Sequence, residues 1–483
     1  MKLLKTVLAL AAAAVTLCLP AAADSIIPYE NYTYSETDRS VVPGPQAYVP
    51  ERVIYGDELG AGKLSAPADI DCAPDGKVYI LDTGNNRVVV LNEDLTLDRI
   101  FVCYDGGKNG TLNKAEGIFT DDAYIYIADT ENSRILIMDK NTGAQVKIVK
   151  APESEMLGGD FIFKPIKLAV DSERLLYVVG DGTYEGIINI NWDSEFIGFI
   201  GSSNVEASAW DIFWQRFATK EQRKTQVQFV PQDHSSIDLD AEGFYYCTMY
   251  TPKDSRMVKR LNPGGADVIR DLSNVSITGD QRTYFNGSLK GSSSFSDVSC
   301  GNYRIYACLD YTRKKVFCYN NDGYLLYTFG DSSSQLGGFA QPSAITWITG
   351  DRMAVLDSQL GSVTVFAPTG YADAIHKGLA AQNELNYDAA YGYWEEVLKM
   401  NNNFELAKSE VGKVYLANGE YKKAMAQFKA ANNTAQYSRA LAEYRTQIIY
   451  DNIYLIAGGL TALFAAVILL VMLLRRRRKK SKG

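Results

Sequence analysis

The feature that most constrains this fold is a phrase that returns at a fixed distance. Residues 80–92 read ILDTGNNRVVVLN and residues 127–139 read IADTENSRILIMD, so Asp82 and Arg87 stand five residues apart, as do Asp129 and Arg134. Looser copies follow: LDYTRKKVFCY puts Lys315 five residues after Asp310, and LDSQLGSVTVF puts Ser362 five after Asp357. Asp82 to Asp129 is 47 residues, and Asp310 to Asp357 is 47 again. Each copy joins two short runs rich in Val, Ile and Tyr, which read as strands, through a polar turn. A unique active site does not repeat. The acid is therefore read as accepting hydrogen bonds from turn amides, and the base as lying opposite it across a hairpin in a charge-assisted pair.

Upstream of these hairpins lies another strand with a shared opening: APADIDCAPDGKVYILD at 66–82, KAEGIFTDDAYIYIAD at 114–129, KPIKLAVDSERLLYVV at 164–179 and QPSAITWITGDRMAVLD at 341–357. A unit of about 45 residues with four short strands is a propeller blade, and a closed ring of blades leaves no long sheet edge exposed. These units resemble NHL repeats, most closely at 64–92, where a Pro, an apolar-acid pair, an Asp-Gly turn, a strand, the Asp and an Asn-x-Arg follow in order. The third and fourth units depart from the pattern: Gly180 stands where the acid belongs, and SIDLDAEGFYYCTMY at 236–250 has no hairpin acid. Spacing and strand pattern nonetheless give six blades. RVIYG at 52–56 is left over to supply the outer strand of the last one and close the ring.

Between the third and fourth blades, an insertion at 203–229 contains Trp210, Phe213, Trp214 and Phe217 at i, i+3, i+4 and i+7. That spacing predicts an amphipathic helix with an aromatic stripe. The stripe either docks a partner or folds onto the propeller's flank.

After a linker at 368–375 the period changes to 34. Gly378, Tyr387, Ala390 and Trp394 recur as Gly412, Tyr421, Ala424 and Phe428. Small residues that let helices approach, alternating with aromatics that fill the gaps, make 376–450 resemble a pair of tetratricopeptide repeats, which implies a groove for a peptide or partner helix.

The ends set an address. Residues 1–23 have Lys2 and Lys5, an apolar stretch and Ala21-Ala22-Ala23, the layout of a secretory signal, and an extended segment, 24–50, leads into the propeller at 51–367. Residues 451–474 are read as a transmembrane helix; its 22 apolar residues from Ile453 to Leu474 make about 33 Å of helix, enough to cross a bilayer. The basic tail, 475–483, predicts a cytoplasmic C-terminus and an exported body. Removing the seven Lys and Arg of the tail and the two of the signal from the net charge of -8 leaves -17 on that body, which disfavours nucleic acid as a partner.

Little chemistry is on offer. Only His234 and His376 occur, so a zinc site of three histidines cannot be assembled. His234 is read as a hydrogen-bonded structural residue at the start of a blade. No catalytic residue, cofactor or metal ligand is assigned, though carboxylates leave a calcium site or an acid pair in the central channel open. The six cysteines after the signal read mainly as buried small hydrophobes, with a bridge from Cys300 to Cys308 or Cys318 as the alternative. The domain order and the segment PYENYTYSETDRSVVPGPQAYVPERVI at 28–54 resemble membrane-anchored extracellular NHL-repeat proteins of Gram-positive bacteria. That resemblance implies an envelope or carbohydrate-transport setting. Two functions follow: a single-pass membrane scaffold that binds protein or peptide partners, or a lactonase-like propeller hydrolase or lyase with a carboxylate-bound metal in its channel.

Overall fold

Strand position within each repeat sets how apolar the strand must be. In the first blade the second and third strands, Val78–Asp82 and Arg87–Leu91, are buried almost throughout, while the outer strand, Leu97–Val102, is half open. Middle strands covered on both faces by neighbouring blades need continuous apolar runs, whereas an outer strand does not. The computed structural model describes residues 27–480 apart from 104–110, 155–156, 158–160, 184–185, 202–233, 251–255, 270–276, 282 and 286–287. The signal at 1–23 and the aromatic stripe of Trp210, Phe213, Trp214 and Phe217 lie outside the described residues.

Six antiparallel sheets follow one another as a β-propeller. Blades 1, 2, 3 and 5 take four consecutive strands each, beginning at Asp69, Gly117, Pro165 and Phe295. Blade 4 has three strands among the described residues, His234–Leu239, Tyr245–Met249 and Val258–Leu261. Blade 6 takes three strands from the end of the propeller sequence and its outer strand, Tyr48–Tyr55, from the beginning. Val363 pairs with Ile54 and Pro368 with Tyr48, so the closing strand starts four residues before the RVIYG stretch. Where blade 3 lacks its hairpin acid, the side chain of Thr183 fills the space: a Cβ on Gly180 would come within 2.4 Å of its hydroxyl.

The N-terminal segment is not a free extension. Tyr29, Asn31 and Tyr32 are buried in the propeller unit. The Asn31 amide oxygen accepts from the Thr328 N–H at the outer strand of blade 5 (2.9 Å), and the Tyr32 hydroxyl donates to Asp280 (2.7 Å). Such side-chain capping satisfies backbone groups that a sheet edge leaves open.

The second unit comprises residues 34–42 and 373–480. The eight-residue linker expected at 368–375 is absent: the last strand ends at Pro368 and α1 runs Gly370–Asn383. It is followed by α2 (Tyr387–Met400), α3 (Glu405–Ala417), α4 (Tyr421–Ala430), α5 (Thr434–Asp451) and α6 (Ile453–Lys480). The 34-residue spacing has a packing cause. A Cβ on Gly378 would meet the Trp394 ring at 2.9 Å, and one on Gly412 would meet Phe428 at 2.7 Å. Each glycine lets the aromatic of the next helix lie against its backbone. In the same unit, Glu405 at the start of α3 accepts from the Glu36 N–H (2.9 Å) and the Ser35 hydroxyl (3.3 Å). The segment Ile453–Arg475 of α6 is long and apolar enough to cross a membrane, and none of it is buried.

Candidate functional site

Two sets of aspartates occupy the propeller, and they do different things. The first set is the hairpin acids. Asp82 accepts from Arg87 Nε (2.6 Å) and Asn85 Nδ2 (2.8 Å) on one oxygen, and from the Ser65 N–H (2.7 Å) on the other. Asp129 repeats this with Arg134 Nε (2.6 Å), Asn132 Nδ2 (2.8 Å) and the Asn113 N–H (2.7 Å). Asp357 accepts the Ala340 and Gln341 N–H groups (2.7 and 3.0 Å), and Asp310 the Ser294 N–H (3.1 Å). Each acid thus pins the loop sixteen or seventeen residues upstream to its own blade.

One expected pair is corrected. Asp310 and Lys315 lie opposite each other in register, but the Lys315 ammonium turns to the Tyr32 hydroxyl (3.2 Å) and ring. Asp310 instead takes the turn N–H groups of Thr312 and Arg313, both at 2.9 Å. The N-terminal segment supplies a partner that repeat spacing could not reveal.

The second set lines the central channel. In every blade the inner-strand residue that pairs with the position just before the hairpin turn is equivalent: Asp69, Gly117, Lys167, Ser236, Asp297 and Ala344 in blades 1 to 6. The Lys167 ammonium of blade 3 donates to Asp69 Oδ1 of blade 1 (2.5 Å) and Asp297 Oδ1 of blade 5 (2.9 Å). Ser236 Oγ of blade 4 donates to the same Asp297 oxygen (2.7 Å). The outer carboxylate oxygens reach the next blade: Asp69 Oδ2 accepts the Ile118 N–H and Asp297 Oδ2 the Ile345 N–H, both at 2.8 Å. One lysine therefore ties three blades across the channel.

Two residues further along the inner strands stand Asp71 and Asp238. Asp71 Oδ2 accepts the Thr120 N–H and hydroxyl, both at 2.7 Å. Asp238 Oδ2 accepts the Cys300 N–H and Oδ1 the Leu239 N–H, again at 2.7 Å. Protein encloses these carboxylates, although part of their surface reaches the narrow lumen they share with Lys167, Ser299 and Thr346. Burial outweighs the hydrogen bonds and raises Asp71 to about 6 and Asp238 to about 7. Burial, partly offset by Lys167, also raises Asp69. Burial pulls Lys167 the other way, but Asp297 and Asp69 overcome it and hold the ammonium above its usual range.

The channel acids do not suit a bound metal, because a lysine ammonium already lies between the two that converge. Among the described residues no group of three or more His, Cys, Asp or Glu side chains is disposed to hold one. His234 is buried, but neither ring nitrogen has a hydrogen-bond partner among the described residues, contrary to the expected bonding. Burial and then Lys259 lower it to about 4. All six cysteines are free, so the Cys300 bridge is not formed.

The channel set has its own spacing in the sequence. Asp69 and Lys167 both fall two residues after the shared Pro, at Pro67 and Pro165. Asp69, Lys167, Asp297 and Ala344 each lie thirteen residues before Asp82, Gly180, Asp310 and Asp357, so aligning the units on those positions exposes most of the ring of inward positions.

No family model matches this chain, and no curated protein matches it. Among solved structures it is similar to the hydrazine synthase of Kuenenia stuttgartiensis, at 11% identity over 64% of this chain and 96% of that one, with a TM-score of 0.41. It is also similar to virginiamycin B lyase from Staphylococcus aureus (11% identity, 67% and 100% covered, TM-score 0.40). A third is the extracellular domain of a hybrid two component system from B. thetaiotaomicron (13% identity, 66% and 40% covered, TM-score 0.37). Likenesses this distant concern propeller architecture and carry nothing about activity.

Proposed function

We propose that this chain is a membrane-anchored binding or scaffold protein whose propeller rims and helical unit meet protein or peptide partners, with α6 as the single membrane span and the bulk outside the cell. The observation that carries this reading is the occupied channel. Lys167 bridges Asp69 and Asp297 there, and the other oxygen of each accepts a backbone N–H from the next blade. A channel spent on holding the ring together leaves recognition to the surfaces. Helix pairs built on Gly378 with Trp394 and Gly412 with Phe428 suit a tetratricopeptide-like docking role beside an envelope or carbohydrate-transport system, and NHL-type blades suit the same role. The test is photo-crosslinking of the full chain in its membrane, with probes at the exposed Leu385 and Tyr387 of the helical unit and Ile162 and Ile197 of the propeller. Reproducible protein adducts confined to one subset of positions are expected. Adducts that are uniform or absent at all four sites would remove the binding reading.

A second reading rests on Asp71 and Asp238, whose carboxyls titrate near neutrality and reach the lumen. Such groups suit general acid–base work, and hence a hydrolase or lyase that uses no metal. Turnover by the purified full chain that Asp238→Asn abolishes without unfolding the propeller would favour it.

A further inference from the structure

The apolar stretch of α6 and the basic stretch after it are one uninterrupted helix, Ile453–Lys480. The 22 residues Ile453–Leu474 rise about 33 Å, which matches a hydrocarbon core of about 30 Å and leaves little slack. The next six residues are Arg475, Arg476, Arg477, Arg478, Lys479 and Lys480. They advance about 9 Å, a little more than one headgroup layer of about 5–7.5 Å, since a bilayer of about 40–45 Å has a core of about 30 Å. The first four basic positions, about 6 Å of helix, therefore fall within the layer of lipid phosphates and the last two lie at its outer edge. Successive helical residues also turn by about 100°, so six in a row leave no side of the helix without a basic position.

No Asp or Glu occurs among residues 452–483, so no acid within the span or the basic stretch offsets its charge. The other end of the span differs: Tyr450, Asp451, Asn452 and the almost fully exposed Tyr454 suit an interface without calling for anions. Guanidinium forks take two phosphate oxygens at once, and a desolvating interface strengthens the pairing.

We infer that Arg475–Lys480 forms a rigid collar that binds the phosphodiester headgroups of anionic phospholipid, giving the protein a selective lipid shell on the side of its basic end. This rests on the reading that α6 crosses a membrane. The ligand chemistry is a phosphodiester with a net negative charge, and its source is the lipid, not a soluble phosphate.

The experiment reconstitutes the full chain in phosphatidylcholine vesicles containing a minority of phosphatidylglycerol, with a trace of either lipid spin-labelled. Electron paramagnetic resonance then reads the motionally restricted fraction. Phosphatidylglycerol should be restricted about fivefold more than phosphatidylcholine. The preference should shrink as salt rises from about 0.1 to about 1 M, where the screening length falls from about 10 to about 3 Å. Changing all six residues to Gln should abolish it. The milder Arg475→Gln with Arg477→Gln should reduce it in part, which covers the case where the sixfold variant fails to insert. Equal restriction of both lipids by the unaltered chain would overturn the proposal, as would full displacement by soluble glycerol phosphate. Failure of the chain to float with the vesicles would instead sink the spanning reading beneath it.

Discussion

The arginine-paired hairpin acids and the channel acids are the same residue type in the same propeller, yet their surroundings differ; Asp310, a hairpin acid without such a cation, is raised by burial to about 6 as Asp71 is. Asp82 and Asp129 are fully buried, and each meets an arginine, an asparagine amide and a backbone N–H within its own blade. Their charge is cancelled locally, and the repeats spread them around the ring. Asp69 and Asp297 converge instead, and they share one lysine from a blade that neither belongs to. Asp71 and Asp238 have no such lysine, and burial leaves them reluctant to ionise. Repetition distributes charge, whereas the axis concentrates it. A ring of identical blades would place six like charges on that axis, so the channel positions have to differ from blade to blade. This is why the inward ring reads Asp, Gly, Lys, Ser, Asp, Ala, while the hairpin acid is kept in blades 1, 2, 5 and 6.

The strongest way to break the comparison is to remove the shared cation. Lys167→Met leaves two buried carboxylates facing each other and unties blade 3 from blades 1 and 5. Breaking a buried pair in this way costs about 3–5 kcal/mol. Chemical denaturation of the full chain should register a loss of that size. Adding Asp69→Asn and Asp297→Asn should restore much of it, because the penalty belongs to the uncompensated charges and not to the missing lysine. No recovery in the triple variant would mean that Lys167 acts chiefly through packing.

A hairpin substitution should cost less, because the damage stays within one blade. Arg134→Ala strands Asp129, whose side chain is wholly buried, but leaves it the Asn113 N–H and the Asn132 amide. A loss of about 2–3 kcal/mol is expected. Arg87→Ala should cost about 1–2 kcal/mol, since the Arg87 side chain is partly exposed. Equal losses at the two sites, measured by the same denaturation, would show that burial does not set the difference.

What was legible in the sequence follows from the same contrast. The hairpins announce themselves because local geometry repeats: in blades 1 and 2 an acid, a turn and a base five residues on meet across two paired strands. Ring closure by the first strand was readable for a related reason, as one strand was left over. The channel was harder, since Lys167 lies 98 residues from Asp69 and 130 from Asp297, and only closure of the ring brings them together. Lys315 misled for a similar reason. Its spacing from Asp310 fits the hairpin rule, but Tyr32, 283 residues away, captures the ammonium. The glycine-to-aromatic contacts of the helical unit were visible because both partners repeat together. A fixed thirteen-residue offset from the hairpin position marks Asp69, Lys167, Asp297 and Ala344, although no local chemistry points to them.

The smallest expected effect concerns Asp238, and it is read in the response to pH. Its carboxyl is raised from the usual 3.8 to about 7 in the folded protein. Between those values the folded state holds a proton that the unfolded chain has lost, so this group's contribution to stability falls as pH rises from about 4 to about 7. At face value the shift corresponds to about 4 kcal/mol; contact with the lumen screens it, and about 1 kcal/mol is the expected size. Asp238→Asn removes the titration but sets an amide NH2 against one of the two backbone N–H groups, which adds a cost independent of pH. The readout is therefore the difference between variant and unaltered chain across the range: it should move in favour of the variant by about 1 kcal/mol between pH 5 and pH 8. If the difference stays flat with pH, burial does not hold the Asp238 carboxyl protonated, and the channel acid loses its electrostatic distinction.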